Sequence, residues 1–202
     1  QAGFIGKITD WLINQAIKDA VILKGLGLNV SIAINLSAKD VMDDTLLPHI
    51  IALMSASQLE TNALSFEMTE SDLVQEPEKA IQQLQAFRNR GFEMAIDDFG
   101  TGYSSMSYLK NLPVTTLKVD KSFVLKLDSQ QGDQKIVRSV IDLAHNFGLN
   151  VVAEGIENQA TLKLLHGWGC ELAQGFYMSK PLPLNDFVQR HKKHQSTNWL
   201  ED

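Results

Sequence analysis

A chain of 202 residues with a formal charge of −6, 44% hydrophobic and 21% charged residues is long enough for one full-sized core and too acidic for a nonspecific nucleic-acid binder, which needs a basic face. Cys170 is its single cysteine, which excludes a disulfide framework and predicts a reducing, cytoplasmic setting for the domain. No apolar run reaches the ~20 residues that span a bilayer, and no signal peptide is visible in a sequence that begins at Gln1 rather than Met.

In chain order, a helical pattern at 7–24 leads to a β-like run, NVSIAIN (29–35), then a helix at 40–58 and the run ALSFEMT (63–69). A helix at 73–90 precedes FEMAIDD (92–98), and a short one at 104–111 precedes VTTLKVD (114–120). Helix 131–147 precedes NVVAE (150–154), helix 158–168 precedes CELAQGF (170–176), and a last helix covers 184–193. Within 131–147, Ile136, Val140, Leu143 and Phe147 recur at spacings of three and four and predict the buried stripe, with Gly148 ending the helix. Alternation this regular predicts a parallel sheet of βα units in one domain.

Side-chain parity separates a doubly wound sheet from a βα barrel. Ile32 and Ile34, then Leu64, Phe66 and Met68, then Phe92, Met94 and Ile96, then Leu117 and Val119 each share one face of their strand. The opposite faces carry Asn35, Glu67, Asp97, Lys118 and Asp120 towards the C-terminal ends, where the active site of a βα barrel lies. Strand 150–154 fits less cleanly, because Val151 and Val152 occupy both faces. A closed barrel has eight strands; six are found, so two N-terminal strands are expected to be missing.

The strand-end residues Asn35, Glu67, Asp97, Asp98, Lys118, Asp120, Glu154 and Gln174 would converge on one mouth in such a barrel. An all-oxygen donor set suits Mg²⁺ or Mn²⁺ and not a zinc site of the usual nitrogen and sulfur kind. Adjacent carboxylates such as Asp97 and Asp98 are tolerable where cations divide between them. Two divalent ions are a standard means of splitting a phosphodiester with an activated water, which Lys118 would hold or whose developing charge it would offset. A single aspartate ending a strand is ordinarily a helix cap; several on successive strands are harder to dismiss. The DFG triplet (98–100) is shared with protein kinases, but no H-R-D or V-A-I-K segment accompanies it. GLGLNV (25–30) precedes a strand instead of following one and fails as a dinucleotide loop.

INLSA (34–38), FEMTES (66–71), AIDDFGTGYSS (95–105), LKVDKSFV (117–124), VVAEGIE (151–157) and QGFYMSKPLP (174–183) together resemble the EAL-domain family of cyclic di-GMP phosphodiesterases, over essentially the whole chain. The resemblance implies a modified TIM-like βα barrel and hydrolysis of cyclic di-GMP to linear pGpG with two Mg²⁺ or Mn²⁺ ions. It implies Asn35, Glu67, Asp97, Asp98 and Glu154 as metal ligands, with Asp97 bridging, and Lys118 as the residue that orients the attacking water. Lys118, Glu154 and Asp98 would be the catalytic set, Gln174, Glu157 and Pro181 pocket residues, and Glu70 the anchor of the loop after Asp98. That loop, 99–105, would lie at a homodimer interface. The E-A-L signature itself does not occur in the sequence, and its glutamate is a metal ligand in the family. The expectation is therefore an EAL domain over 1–202, truncated at its N-terminus, with about six of eight strands. The expected ligand is cyclic di-GMP and not a DNA or RNA polymer, and a parent protein with sensor or GGDEF domains or a membrane anchor is compatible with this. The alternative reading is an inactive EAL module that senses the nucleotide or contacts a protein.

Overall fold

The computed structural model describes residues 2–73, 77–101, 109–194 and 197–201. These fall into two compact units, one of residues 1–97 and 102–115, the other of 98–101 and 116–202.

The first unit opens on α1 (Ala2–Gly25), followed by β1 (Ile32–Asn35), α2 (Ala38–Val41) and α3 (Leu46–Ala56). A 3-10 turn, Thr61–Ala63, leads into β2 (Leu64–Thr69), and a second, Glu70–Leu73, precedes α4 (Pro77–Asn89) and β3 (Glu93–Phe99). β1 pairs in parallel with β2, and β2 with β3. Its core is the apolar face that parity assigned. Leu64, Phe66, Met68, Met94 and Ile96 are buried, and the rings of Phe87 and Phe92 meet Phe66 edge-on at 5.2 and 5.3 Å.

The helix predicted at 40–58 is two helices. Ser37 caps the first reciprocally with Asp40: the Ser37 N–H donates to the Asp40 carboxylate at 2.9 Å, and the Asp40 N–H donates back to Ser37 Oγ at 3.4 Å. The chain breaks again at Asp43, whose carboxylate accepts from the backbone and hydroxyl of Thr45. Local side-chain bonds of this kind compete with helix continuation. Of the helix expected at 104–111, residues 104–108 lie outside the described residues.

The second unit carries β4 (Thr116–Val119), α5 (Lys121–Val124), α6 (Gln131–Asn146), β5 (Asn150–Ala153), α7 (Gln159–Gly167), β6 (Leu172–Ala173) and α8 (Leu184–His194). β4 pairs in parallel with β5, and β5 with β6. α6 packs on β4 and β5, but not with the predicted stripe: Val137, Ile141 and Ala144 are buried, whereas Ile136 is 44% exposed. Apolar residues fill two adjacent rows of this helix, at 136/140/143/147 and 137/141/144, and periodicity alone does not choose between them. Gly148 ends the helix as expected. It adopts φ +70, and the N–H groups of Gly148 and Leu149 donate back to His145 and Ala144.

The ambiguous strand is also resolved. Val151 and Ala153 are buried on the helix side of β5, which leaves Val152 on the face that carries Glu154. β6 is shorter than the 170–176 run, because Cys170 still closes the end of α7 through a bond to Leu165.

Candidate active site

In the first unit, β1 and β2 are in register at Asn35 and Glu67, so these side chains leave neighbouring strands on one face, with strands about 4.8 Å apart. The strand ends there because Leu36 N–H donates to Glu67 O at 2.8 Å and Ser37 starts the next helix. Asp97 is in register with Thr69 on β2, two residues beyond the Glu67–Ala95 pair. Asn35 is exposed; Glu67 and Asp97 are half-buried. Glu70 follows directly and is buried, at 4% exposure. Of the loop 99–105 that it is expected to anchor, residues 102–105 lie outside the described residues.

In the second unit, register places Lys118 against Val152, and Glu154 continues the ladder by donating its N–H to Val119 O. Lys118 and Glu154 thus face the same way, and Lys118 Nζ meets Glu154 Oε1 at 2.7 Å with side-chain exposures of 5% and 15%. A lysine this buried depends on its counter-charge, since removing one partner leaves the other desolvated and unpaired.

Asp98, directly after Asp97 in the sequence, offers a carboxylate oxygen within 4.8 Å of one from Glu154. Its backbone has φ +53, in the left-handed region, a conformation of order 1–3 kcal/mol above the ordinary ones for such a residue. Asp120 caps α5, its carboxylate accepting from Ser122 N–H at 2.9 Å. Burial pushes the Asp120 carboxyl up, but bonds from Ser122, from the Asp98 side chain and from the Lys121 backbone outweigh it and hold the group below the usual carboxylate range. Asp98 and Glu154 offer carboxylate oxygens only, a donor type that fits a hard divalent ion.

Glu154, Glu157, Gln174 and Pro181 line one cavity of about 650 Å³, together with Lys121 and Phe176. Two glycines hold its wall. Gly155 has φ +75, and a β-carbon on it would lie 2.6 Å from Lys121 Cβ. One on Gly175 would lie 2.1 Å from Ile156 O. Through that close approach Gln174 O accepts from Ile156 N–H, and Tyr177 N–H donates to Ile156 O. Another cavity, about 530 Å³, opens in the first unit at the N-terminal ends of β1 and β2, beside Asn29, Ser31 and Asn62, away from Asn35 and Glu67.

Sequence reasoning placed Asp120 among the strand-end residues without giving it a role, although Asp followed by a short helix is a cap signal. It missed Lys121 and Phe176 as cavity residues, since nothing in their spacing marks them.

The family model described as the EAL domain matches residues 1–181. A Pseudomonas aeruginosa protein named as a cyclic di-GMP phosphodiesterase is 36% identical over 186 residues, 91% of this chain and 32% of its own length. The solved EAL domain of Mycobacterium smegmatis DcpA is 39% identical, with a TM-score of 0.87 over 94% of this chain and 86% of that one. A structure of the PaMucR phosphodiesterase in complex with cyclic di-GMP is 33% identical, with a TM-score of 0.85 over 92% of this chain and 75% of that one. The α/β fold class expected from the sequence, an incomplete barrel of the EAL type, agrees with these likenesses. The chain spans about a quarter to a third of the length of the curated relatives it matches.

Proposed function

This chain belongs to the EAL-domain family, and from that membership and the geometry of its site we propose that it is a metal-dependent phosphodiesterase domain that hydrolyses cyclic di-GMP to linear pGpG. The observation that carries the reading is the buried Lys118–Glu154 pair at 2.7 Å, with the Asp98 carboxylate within 4.8 Å of Glu154. Asn35, Glu67, Asp97, Asp98 and Glu154 would hold two divalent ions, Mg²⁺ or Mn²⁺. Ions held there would lower the pKa of a bound water and offset charge on the diester.

Lys118, fixed by Glu154, orients the water that attacks phosphorus. One P–O3′ bond breaks, the released O3′ takes a proton, and the phosphate stays on the 5′ oxygen. Gln174, Glu157 and Pro181 bind the nucleotide in the 650 Å³ cavity, with Pro181 against a guanine. Lys121 and Lys180 supply positive charge at its edge, and Lys180 Nζ already lies 5.5 Å from the Phe176 ring centre. Glu70 anchors the loop 99–105, through which two copies pair. The domain would act in the cytoplasm, a reducing setting that suits its single cysteine; no helix among the described residues is long and apolar enough to cross a membrane. Sensor or GGDEF domains in the parent protein would regulate it.

The test is chromatography of cyclic di-GMP incubated with Mn²⁺ and the full-length protein. Wild type is expected to yield pGpG, and Asp97→Asn and Lys118→Ala each to lose at least about 100-fold in rate. Unchanged turnover in both variants overturns the reading. Tight binding of the nucleotide by wild type without product supports the sensor alternative.

A further inference from the structure

Asp98 holds its carboxylate near Glu154 from an unfavourable backbone conformation, so something else must keep it there. Two contacts do so. Thr101 donates both its backbone N–H, at 3.3 Å, and its hydroxyl, at 2.8 Å, to Asp98 O, closing a turn over the left-handed residue. Gly100, at φ +100, lies flat on the ring of Phe123: a β-carbon built there would meet Phe123 Cε2 at 3.1 Å and Cζ at 3.5 Å. Phe123 stands on α5, the same short helix that Asp120 caps, and its own N–H donates to Asp120 O at 3.1 Å. One turn of helix therefore carries both the carboxylate that faces Asp98 and the ring that supports the turn behind it.

We infer that Phe123, with Thr101, is a positioning residue that holds the Asp98 carboxylate in its ion-binding place. Phe123 has no metal-ligating atom; it acts through Gly100 and the peptide of Asp98. The inference rests on the metal-binding reading proposed above and adds residues to it that composition and spacing do not mark.

The experiment is titration of the chelator-treated full-length protein with Mn²⁺, followed by electron paramagnetic resonance, with melting temperature recorded without metal. Asp98→Asn tests the underlying reading and is expected to weaken Mn²⁺ binding about 10-fold or more. Phe123→Ala and Thr101→Val are each expected to weaken it by about 10-fold. Phe123→Tyr and Thr101→Ser, which keep the ring and the hydroxyl, should stay within about twofold of wild type on the same grounds. Val124→Ala, a buried neighbour on α5, controls for general loosening.

Loss in Phe123→Ala and Thr101→Val with recovery in the two conservative variants supports the inference. Wild-type affinity in Phe123→Ala and Thr101→Val, with Asp98→Asn still impaired, overturns it and leaves the metal site standing. Equal loss in Val124→Ala also overturns it, because general destabilisation then accounts for the effect. Wild-type affinity in Asp98→Asn removes the metal reading and this inference with it. Should Phe123→Ala fail to fold, the Thr101 pair decides.

Discussion

Charge at the residue scale is tolerated here by pairing. Lys118 keeps its ammonium at 4% exposure because Glu154 stands 2.7 Å away, and both are brought there by a strand register that the backbone fixes. Cys170 is the contrasting case, a half-buried thiol whose neighbouring charge, Glu171, has the sign of its own thiolate. Burial pushes its thiol up, bonds from the Leu172 and Ala153 backbone offset part of this, and the neighbouring Glu171 charge adds to it, which together raise the thiol to about 11. The folded chain thus favours the neutral thiol, while the unfolded chain ionises near 9. Between those values the unfolded state binds fewer protons, so the contribution is intact below pH 9 and is lost as pH rises towards 11. The full difference is on the order of 2 kcal/mol. Urea unfolding at pH 8.0 and 10.5 should show the stability difference between wild type and Cys170→Ala shifting by about 1–2 kcal/mol against wild type. A difference that does not change with pH would show that the thiol ionises as freely in the folded chain as in the unfolded one.

The packing of whole elements decides what single residues leave ambiguous. On α6, Ile141 is fully buried against the strands and Ile136 is 44% exposed, although the two are chemically identical and sit in equally regular rows. Ile141→Ala should cost about 2–5 kcal/mol through the cavity it leaves, and Ile136→Ala under about 1 kcal/mol, read from denaturant midpoints at constant slope. Equal losses would return the helix to the orientation that its 136/140/143/147 row suggests. The same physics explains what was legible beforehand. Period-two alternation in β2, β3 and β4 has one bulky and one small or polar face, so both the core and the carboxylates of the opposite face could be read directly. Strand β5 and helix α6 are apolar on more than one row, and only their neighbours set the phase. Strand ends were overrun for a related reason: Asp40, Asp43 and Asp120 bind local N–H groups and stop or start helices, which a count of apolar periods does not register. The site residues were legible because charge at a strand end is conspicuous. Phe123, Lys121 and Phe176 lie inside the motifs LKVDKSFV and QGFYMSKPLP but received no role, because an aromatic or a lysine with no strand-end position looks like any other.

At the scale of the whole molecule, charge and exposed apolar surface oppose each other. The formal charge of −6 keeps copies apart near neutral pH and vanishes near the sequence pI of about 5.3. Meanwhile α1 turns Ile8, Trp11 and Leu12 to solvent on one face, Trp11 at 63% exposure, and Ile22 returns to that face about one turn beyond the Gln15–Asp19 hydrogen bond. Such a cluster is more apolar than a scattered surface residue, and electrostatic repulsion opposes its meeting a like surface. Light scattering of this chain across pH 4.5–8 should therefore peak close to pH 5.3. Trp11→Gln combined with Leu12→Gln leaves the net charge unchanged and removes most of the apolar area, so its scattering peak should fall by at least about half if association runs through this face. An undiminished peak in that variant would assign the association to loss of charge alone, and the α1 face would then be inert.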